Sequence, residues 1–245
     1  MAPIFRNFCK LLSLGKLSSI QTREGVSVVK ISVMGTGNMG KALVKQLAAY
    51  SEGQILWGSR NPGEAARLAK EFQLDNIMTC SYDDALQADI IVPAFHVSVL
   101  EEWALAYKEQ LKGKIVVDIS NPFNNDYSDF TTSWGESSAE NIQALLPDST
   151  VLGAFKNTFF KVVEEPVFQD QISDVLVTGD DEAAIQQFLE HFKPLPFRFI
   201  HAGKLVNNRT IERFTLLELE LAVRYNTYPY ISLQLFGVKE TLPVS

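Results

Sequence analysis

Short apolar runs alternate along this chain with longer segments whose apolar residues recur at helical spacing. The run at residues 28–34 is rich in β-branched residues, as expected of a strand buried on both faces of a parallel sheet. The apolar positions in residues 41–50 instead follow a helical period. Further strands are predicted at 54–58, 77–80, 89–94, 114–119, 150–155, 174–178 and 197–201, and further helices at 64–72, 97–111, 137–146, 181–192 and 208–225. The capping box Ser81-Tyr82-Asp83-Asp84 predicts one more short helix. This alternation predicts an α/β protein with a doubly wound, mostly parallel sheet.

Three parts are predicted along the chain. Residues 28–155 form the main domain, and residues 156–245 form a small C-terminal α+β extension that completes the sheet, faces the substrate and carries dimer contacts. Residues 1–27 precede the first strand, and residues 1–30 contain five lysines and arginines against Glu24 alone. Apolar residues of this segment share one helical face, namely Ile4, Phe5, Phe8, Leu11 and Leu12. The same pattern occurs in mitochondrial presequences, but a disordered N-terminal extension is the favoured interpretation. The predicted compartment is therefore the cytoplasm, with the mitochondrion as the alternative.

Composition and charge exclude several classes of partner. The formal net charge of −7 argues against a nucleic-acid or anionic-membrane partner. Two cysteines and three widely separated histidines form no metal-ligand pattern, so no metal site is expected. No apolar run approaches the ~20 residues that a membrane-spanning helix needs. We expect a soluble protein whose partners are small molecules.

A glycine-rich turn lies between the first predicted strand and the first helix. It reads Gly35-Thr36-Gly37-Asn38-Met39-Gly40, which matches the G-x-G-x-x-G pattern in its proper context. Gly35 permits the tight turn, Gly37 lets the backbone approach a pyrophosphate, and Gly40 lets the helix pack close to the strand. The free N–H groups at the helix N-terminus would then face the phosphates. The turn predicts a Rossmann-type dinucleotide-binding domain.

The end of the second strand distinguishes the two nicotinamide dinucleotides. NAD-binding domains usually have an acidic residue there, which bonds the ribose 2′-hydroxyl. Here Gly58, Ser59 and Arg60 occupy that place. An arginine and a hydroxyl would bind a 2′-phosphate, which a carboxylate would repel. The predicted cofactor is therefore NADP.

Three loops at the carboxyl ends of later strands are candidates for the nicotinamide end, because ligands of doubly wound sheets lie there. The first contains Ala94, Phe95 and His96, the second contains Asn121, and the third runs from Ala154 to Thr158 and contains Lys156. Phe95 could pack on the nicotinamide. His96 could bond a carbonyl or be a helix N-terminal residue facing water, and Lys156 could contact substrate or be solvated.

No convincing acid–base pair accompanies these loops. The lysine and asparagine spacing of β-hydroxyacid dehydrogenases and the Tyr-x-x-x-Lys dyad of short-chain enzymes are absent. The catalytic group is therefore unknown, with His96 and Lys156 as weak candidates. Hydride transfer to a cofactor-like acceptor can proceed by positioning alone.

The motifs together resemble the deazaflavin-dependent NADP oxidoreductase family, and also the NADPH domain of the six-transmembrane epithelial antigen metalloreductases. The resemblance covers roughly residues 30–225. It is carried by Val33-Met34-Gly35-Thr36-Gly37-Asn38-Met39-Gly40-Lys41, Gly58-Ser59-Arg60-Asn61-Pro62, Val117-Asp118-Ile119-Ser120-Asn121, Ala154-Phe155 before Asn157-Thr158, Val177-Thr178-Gly179-Asp180-Asp181, Ala202-Gly203-Lys204-Leu205, Arg209 and Glu212.

The resemblance implies hydride transfer between NADPH and a flavin-like acceptor, commonly in a homodimer. It implies NADP contacts from Thr36, Gly37, Asn38, Met39, Ser59, Arg60 and Ala154, and contacts near Phe95 and Asn121. Two departures touch the acceptor side. Lys156 interrupts the usual Ala-Phe-Asn-Thr run, and residues 97–99 lack a histidine common in the family.

We therefore expect a soluble NADP-dependent oxidoreductase that acts on a flavin-like or small organic acceptor. Two alternatives stay open at this point. One is a non-catalytic NADP-binding or redox-sensing module, which the missing acid–base pair would suit. The other is an imine or keto reductase of a biosynthetic pathway that uses His96 or Lys156 as proton donor.

Overall fold

The computed structural model describes residues 29–238. Ten strands are present in this part of the chain: β1 (Ile31–Met34), β2 (Ile55–Gly58), β3 (Ile77–Cys80), β4 (Ile90–Pro93), β5 (Ile115–Asp118), β6 (Thr150–Gly153), β7 (Val167–Phe168), β8 (Gln171–Ile172), β9 (Asp174–Gly179) and β10 (Arg198–His201). The α-helices of the same residues are α1 (Asn38–Tyr50), α2 (Pro62–Glu71), α3 (Tyr82–Ala85), α4 (Val97–Ala106), α5 (Ser138–Leu145), α6 (Phe160–Glu164), α7 (Glu182–Phe192) and α8 (Asn208–Arg224).

Eight of the strands form one sheet in the order β3-β2-β1-β4-β5-β6-β9-β10. Neighbouring strands run parallel except β6 and β9, which are antiparallel. The strand order reverses direction between β1 and β4, which is the place where doubly wound sheets bind ligands. The predicted doubly wound, mostly parallel Rossmann-type sheet is confirmed, and β9 and β10 extend the same sheet.

The apolar pattern explains why these residues form a sheet covered on both faces. Every residue of β1, β2, β4 and β5 is buried. One core contains Leu43 and Leu47 of α1 together with Phe188 of α7, and the other contains Leu100 of α4 and Ile142 of α5. A strand buried on both faces has no polar side to show, so its sequence reads as a continuous apolar run.

Several predicted boundaries differ from the structure. The helix predicted over 97–111 ends at Ala106, and turns lead to Gly113, whose φ of +71° is left-handed. The sequence did not predict the five-residue α6 or the β7–β8 hairpin, which has two residues per strand. Neither is long enough to show a hydrophobic period.

The predicted N-terminal segment, residues 1–27, lies outside the described residues. The domain boundary at residue 155 and the compartment stay predictions. Within residues 29–238, no helix combines the length and the apolar character needed to cross a bilayer.

Candidate active site

The glycine turn builds an anion-binding end on α1. Gly35 has a φ of +115°, and its N–H donates to the Gly58 carbonyl across 2.8 Å. A Cβ at Gly35 would lie 2.8 Å from the Ala94 carbonyl oxygen, and one at Gly40 would lie 2.2 Å from the Gly35 carbonyl oxygen. Both positions therefore exclude a side chain. At Gly37, by contrast, nothing lies within 4 Å of a Cβ, so this face of the turn is open to a phosphate.

The first turn of α1 leaves its backbone donors free. Gly37 is the N-cap and supplies no side-chain cap, and the first turn contains no acidic residue. The uncapped N–H groups and the positive end of the helix dipole therefore face the open side of Gly37. This cradle fits the pyrophosphate of a dinucleotide.

A cavity of about 400 Å³ opens in front of this turn. Its lining gathers residues from the ends of β1, β2 and β4, namely Gly35, Thr36, Gly37, Ser59, Arg60, Asn61, Glu64, Tyr82, Ala94, Phe95, His96 and Val99. Eight of the residues singled out from the sequence are thus brought together. The lining does not include Asn38, Met39 and Gly40, which lie in the first turn of α1, nor Asn121 and Ala154.

The far end of the cavity carries the groups expected for a 2′-phosphate. Ser59 is buried, and its Oγ accepts from the Asn61 N–H across 3.1 Å, which leaves the hydroxyl hydrogen free to donate. Arg60 is exposed, and no carboxylate within residues 29–238 forms an ion pair with it. Among the lining residues Glu64 is the acidic one, and Arg60 is the permanent cation.

Tyr82 also lines this end and was not predicted from the sequence. Burial raises the pKa of its phenol, and the neighbouring Arg60, which hydrogen bonds to it, partly offsets that rise. Ser81 caps α3 by accepting from the Asp84 N–H, which places Tyr82 at the first helical position. The capping box at Ser81 predicted this short helix. The proximity of Tyr82 to Arg60 depends instead on the pairing of β2 with β3, in which Gly58 lies opposite Cys80.

Phe95 and His96 occupy the rim near β4. The Phe95 ring packs between Tyr82 and Trp103, with centroid distances of 5.3 and 5.6 Å. His96 is exposed and is the N-cap of α4, where its Nδ1 accepts from the Ser98 N–H across 3.3 Å. His96 is thus a helix N-terminal residue that faces water, as one of its two interpretations had it. It also lines the cavity.

Lys156 corrects an expectation from the sequence. The solvated-lysine interpretation is wrong, because the side chain is 1% exposed. Its Nζ lies 2.7 Å from Asp118 Oδ2 and 2.9 Å from Glu212 Oε1, and it also donates to the Ser120 carbonyl. An ammonium can be buried only with such partners, so the ion pairs explain its position.

The three charges are strongly coupled to their buried surroundings. Burial alone would lower the pKa of Lys156, but Asp118 and Glu212 outweigh it and raise that pKa above its ordinary value. Burial raises the pKa of Glu212, and the charge of Lys156 partly offsets this effect. Glu212 also accepts from the Ser138 N–H at the start of α5, across 3.0 Å. The lysine therefore stays protonated and joins β5, α5 and α8.

The backbone at Lys156 organises the loop that contains Asn121. The Lys156 carbonyl accepts from Asn121 Nδ2 across 2.7 Å and from Thr215 Oγ1 across 2.8 Å. Phe155, just before it, has a left-handed φ of +56°, which is unusual for an aromatic residue. Asn121 Oδ1 is buried and has no hydrogen-bond partner among the described residues. That oxygen is therefore available to a donor from a ligand.

Sequence reasoning missed the roles of Asp118, Glu212 and Thr215. Each is buried, and they reach Lys156 from two elements: Asp118 from the end of β5, and Glu212 and Thr215 from α8. The one available signal was a polar residue at an apolar position: Asp118 ends a buried strand, and Glu212 lies on the inner face of an amphipathic helix.

Comparisons with known proteins identify relatives of this chain. The family described as NADP oxidoreductase, coenzyme F420-dependent, matches residues 30–122. The F420-dependent NADP reductase of Methanocaldococcus jannaschii is 31% identical over 214 residues, which cover 81% of this chain and 95% of that protein. Metalloreductase STEAP3 of Rattus norvegicus is 27% identical over 215 residues, covering 82% of this chain and 42% of that protein.

Solved structures show the same fold. A candidate F420-dependent NADP reductase from Arthrobacter sp. FB24 matches with a TM-score of 0.72 at 23% identity, covering 82% of this chain and 96% of that one. An imine reductase from Bacillus cereus matches with a TM-score of 0.58 at 13% identity, covering 81% and 62%. The identity to the reductase of M. jannaschii over nearly its full length assigns the chain to a family: it belongs to the coenzyme F420-dependent NADP oxidoreductases and is an NADP-dependent oxidoreductase.

Proposed function

We propose that the protein transfers a hydride between NADPH and a flavin-like acceptor. The observation that carries the proposal is one cavity that joins the open face of Gly37 to the buried Ser59 and the exposed Arg60. The cavity thus has an anion-binding turn at one end and a second anion site at the other. NADPH, when bound, supplies the hydride, and the protein holds and orients it.

Different groups of residues bind different parts of the cofactor. The α1 N-terminus and the turn from Gly35 to Gly40 hold the pyrophosphate, and Ser59 and Arg60 hold the 2′-phosphate. Ala94 and Phe95 border the path from the turn along the end of β4. The nicotinamide then lies toward Asn121 and the buried Ala154, where Asn121 Oδ1 can accept from the carboxamide.

A flavin-like acceptor suits the chemistry better than a carbonyl or an imine. His96 lies in solvent as a helix cap, and Lys156 holds its proton between two carboxylates, so neither is well placed to protonate a substrate. A planar acceptor that stacks on the nicotinamide can take the hydride by positioning. The reductase of M. jannaschii is named for coenzyme F420, an acceptor of this kind.

Turnover with defined acceptors tests the proposal. Purified protein should oxidise NADPH in the presence of coenzyme F420 or of FMN, followed by the loss of NADPH absorbance. Gly37→Asp should abolish NADPH binding, because its carboxylate would occupy the phosphate space. Gly53→Asp is the matched control, since Gly53 also has open space around it but lies away from the cavity. No turnover with either acceptor would contradict the proposed acceptor class, and tight NADPH binding by Gly37→Asp would contradict the cofactor placement.

We also propose a homodimer that forms through the outer face of α8. Phe214, Leu217 and Tyr225 are exposed and share one face of this helix. Exposed apolar side chains in a row are typical of an interface. Light scattering should show a dimer that Leu217→Glu dissociates, while Leu105→Glu, which changes an exposed leucine on α4, should leave it intact. A monomeric wild type would contradict this proposal.

A further inference from the structure

Tyr82 lines the same end of the cavity as Ser59 and Arg60. The Ser59 N–H donates to the Cys80 carbonyl across 3.0 Å, which continues the parallel pairing of β2 with β3 beyond the end of β2. The segment that follows β2 and the segment that opens α3 therefore lie side by side. Tyr82 meets Arg60 across this junction, so the two side chains act on the same part of the cavity.

Contacts on its ring fix the position of Tyr82 before any ligand binds. A Cβ at Gly58 would lie 3.4 Å from Tyr82 Cδ1, so the ring approaches the bare backbone at the end of β2. The ring also packs against Phe95, with centroids 5.3 Å apart, and Phe95 in turn packs against Trp103. A side chain that is already held in place loses little conformational entropy when a ligand arrives. The phenol is therefore preorganised at the wall of the cavity.

The Tyr82 hydroxyl has a donor beside it and a hydrogen of its own left to donate. Arg60 hydrogen bonds to it, and since a guanidinium is only a donor, the phenol oxygen accepts. Within residues 29–238, no protein atom accepts the phenol hydrogen. Burial raises the pKa of Tyr82, so this hydrogen stays on the oxygen at neutral pH. The hydroxyl can therefore donate to a ligand in the cavity.

The bond to Tyr82 also keeps Arg60 away from a competing acid. Glu64 is exposed and lines the same cavity, so a freely moving guanidinium could pair with its carboxylate and be lost to a ligand. In the part of the chain that the structure describes, Arg60 forms no ion pair and instead hydrogen bonds to the phenol. Tyr82 thus holds the guanidinium on the α3 side of the cavity, where its charge is available to an anion.

Three donors at this end match the chemistry of a 2′-phosphate. Ser59 has a free hydroxyl hydrogen, Arg60 carries a permanent positive charge, and Tyr82 adds a second hydroxyl. A phosphate monoester has three terminal oxygens, and all of them are strong hydrogen-bond acceptors. NADH has an uncharged hydroxyl at the same place, which gains far less from a cation and two hydroxyl donors.

We propose that Tyr82 is a specificity-determining residue for NADPH: its phenol oxygen holds the Arg60 guanidinium, and its phenol hydrogen is donated to the 2′-phosphate. The inference rests on the proposed function, in which Ser59 and Arg60 bind this phosphate. Because this end of the cavity takes the adenosine half of the cofactor, Tyr82 acts on the choice of dinucleotide and takes no part in the transfer of the hydride.

Titration calorimetry of the full chain with NADPH and with NADH tests the proposal. Tyr82→Phe keeps the ring contacts with Gly58 and Phe95 and removes the hydroxyl. The Kd for NADPH should rise about tenfold, because a hydrogen bond to a charged group is lost, while the Kd for NADH stays as in wild type. In an Arg60→Ala background the same substitution should weaken NADPH binding less than it does in wild type, because the phenol then has no guanidinium to hold.

Tyr107→Phe is the matched control, because Tyr107 belongs to the same group of aromatic side chains, 6.2 Å from Trp103, but does not line the cavity. It should leave both dissociation constants unchanged. Wild-type NADPH affinity in Tyr82→Phe would overturn the proposal and leave the proposed function intact. A loss shared equally by NADPH and NADH would do the same, since it would indicate a packing role. An undiminished effect in the Arg60→Ala background would contradict the hold on Arg60. A wild type that binds NADPH no more tightly than NADH would overturn the cofactor placement and this inference together.

Discussion

The two ends of the candidate site differ in how far apart along the sequence their interacting residues lie. At the β1–β2 end, groups within one βαβ unit meet, as in the bond from Trp57 Nε1 to the Gly35 carbonyl, 22 positions apart. At the β5–β6 end, Asp118 and Lys156 are 38 positions apart, and Ser138 and Glu212 are 74 apart. The first end leaves backbone donors and Arg60 open to a ligand. The second pairs its charged groups with one another inside the protein.

This difference indicates that the β1–β2 end serves ligand binding and the β5–β6 end serves stability of the fold. An open anion site must be accessible to its ligand, and it is formed by a few residues close together in the sequence. A closed charge cluster contributes by holding β5, α5 and α8 in register around Lys156. Variants at the two ends should therefore fail in different ways, one in NADPH affinity and the other in stability.

The largest effect is expected from Lys156→Met. The substitution leaves Asp118 and Glu212 buried without their cation, which should lower the free energy of unfolding by about 3–5 kcal/mol. Denaturant unfolding measures it. Lys161→Met is the matched control, because Lys161 is partly exposed and pairs with the exposed Glu165, and it should change stability little. Equal effects of the two substitutions would show that the cluster does not hold the β5–β6 end of the site together.

The next effect concerns the pH dependence of stability at Glu218. Burial of this side chain raises its folded-state pKa to about 8, above the unfolded value of 4.5, so the folded protein keeps a proton that the unfolded chain has lost. Stability is therefore lost as the pH rises between these two values. Relative to Glu218→Gln, wild type should lose about 1.4 kcal/mol per pH unit across that window. Thermal or urea unfolding at several pH values measures it, and parallel curves for the two proteins would contradict the protonated state.

Arg60→Ala tests the open end. Loss of a charge-assisted bond to the 2′-phosphate should weaken NADPH binding by about 1.5–3 kcal/mol, roughly tenfold to a hundredfold, with little change for NADH. Titration calorimetry with both dinucleotides measures this. Arg67→Ala is the control, since Arg67 is a surface arginine on α2 that pairs with Glu71. Equal losses for NADPH and NADH would mean that Arg60 does not distinguish them.

The smallest effect is expected from His96→Ala. His96 is an exposed helix cap, so kcat with the flavin-like acceptor should change little and the pH profile should keep its shape. Steady-state kinetics across pH measures this. Loss of a titrating group in this variant would favour the imine or keto reductase alternative, in which His96 donates the proton.

Local patterns predicted the elements well where the elements were long. The predicted strand at 77–80 has the observed bounds of β3, and the strand–turn–helix context of Gly35, Gly37 and Gly40 led directly to the family. The prediction failed for α6 and the β7–β8 hairpin, which are too short to show a period. Of the two interpretations left open for Lys156, the solvated one was wrong. A lysine in a loop carries no local sign of burial, since its partners come from distant parts of the chain.

The sequence by itself determined the sheet class, the glycine turn and the basic end of β2, because each depends on residues that are neighbours along the chain or follow a fixed period. Only the tertiary structure decided that Lys156 is enclosed by Asp118 and Glu212, that Tyr82 meets Arg60, and that Glu218 is buried without a partner. Burial and electrostatic partners are properties of three-dimensional proximity. They arise only when elements that are distant along the chain pack together.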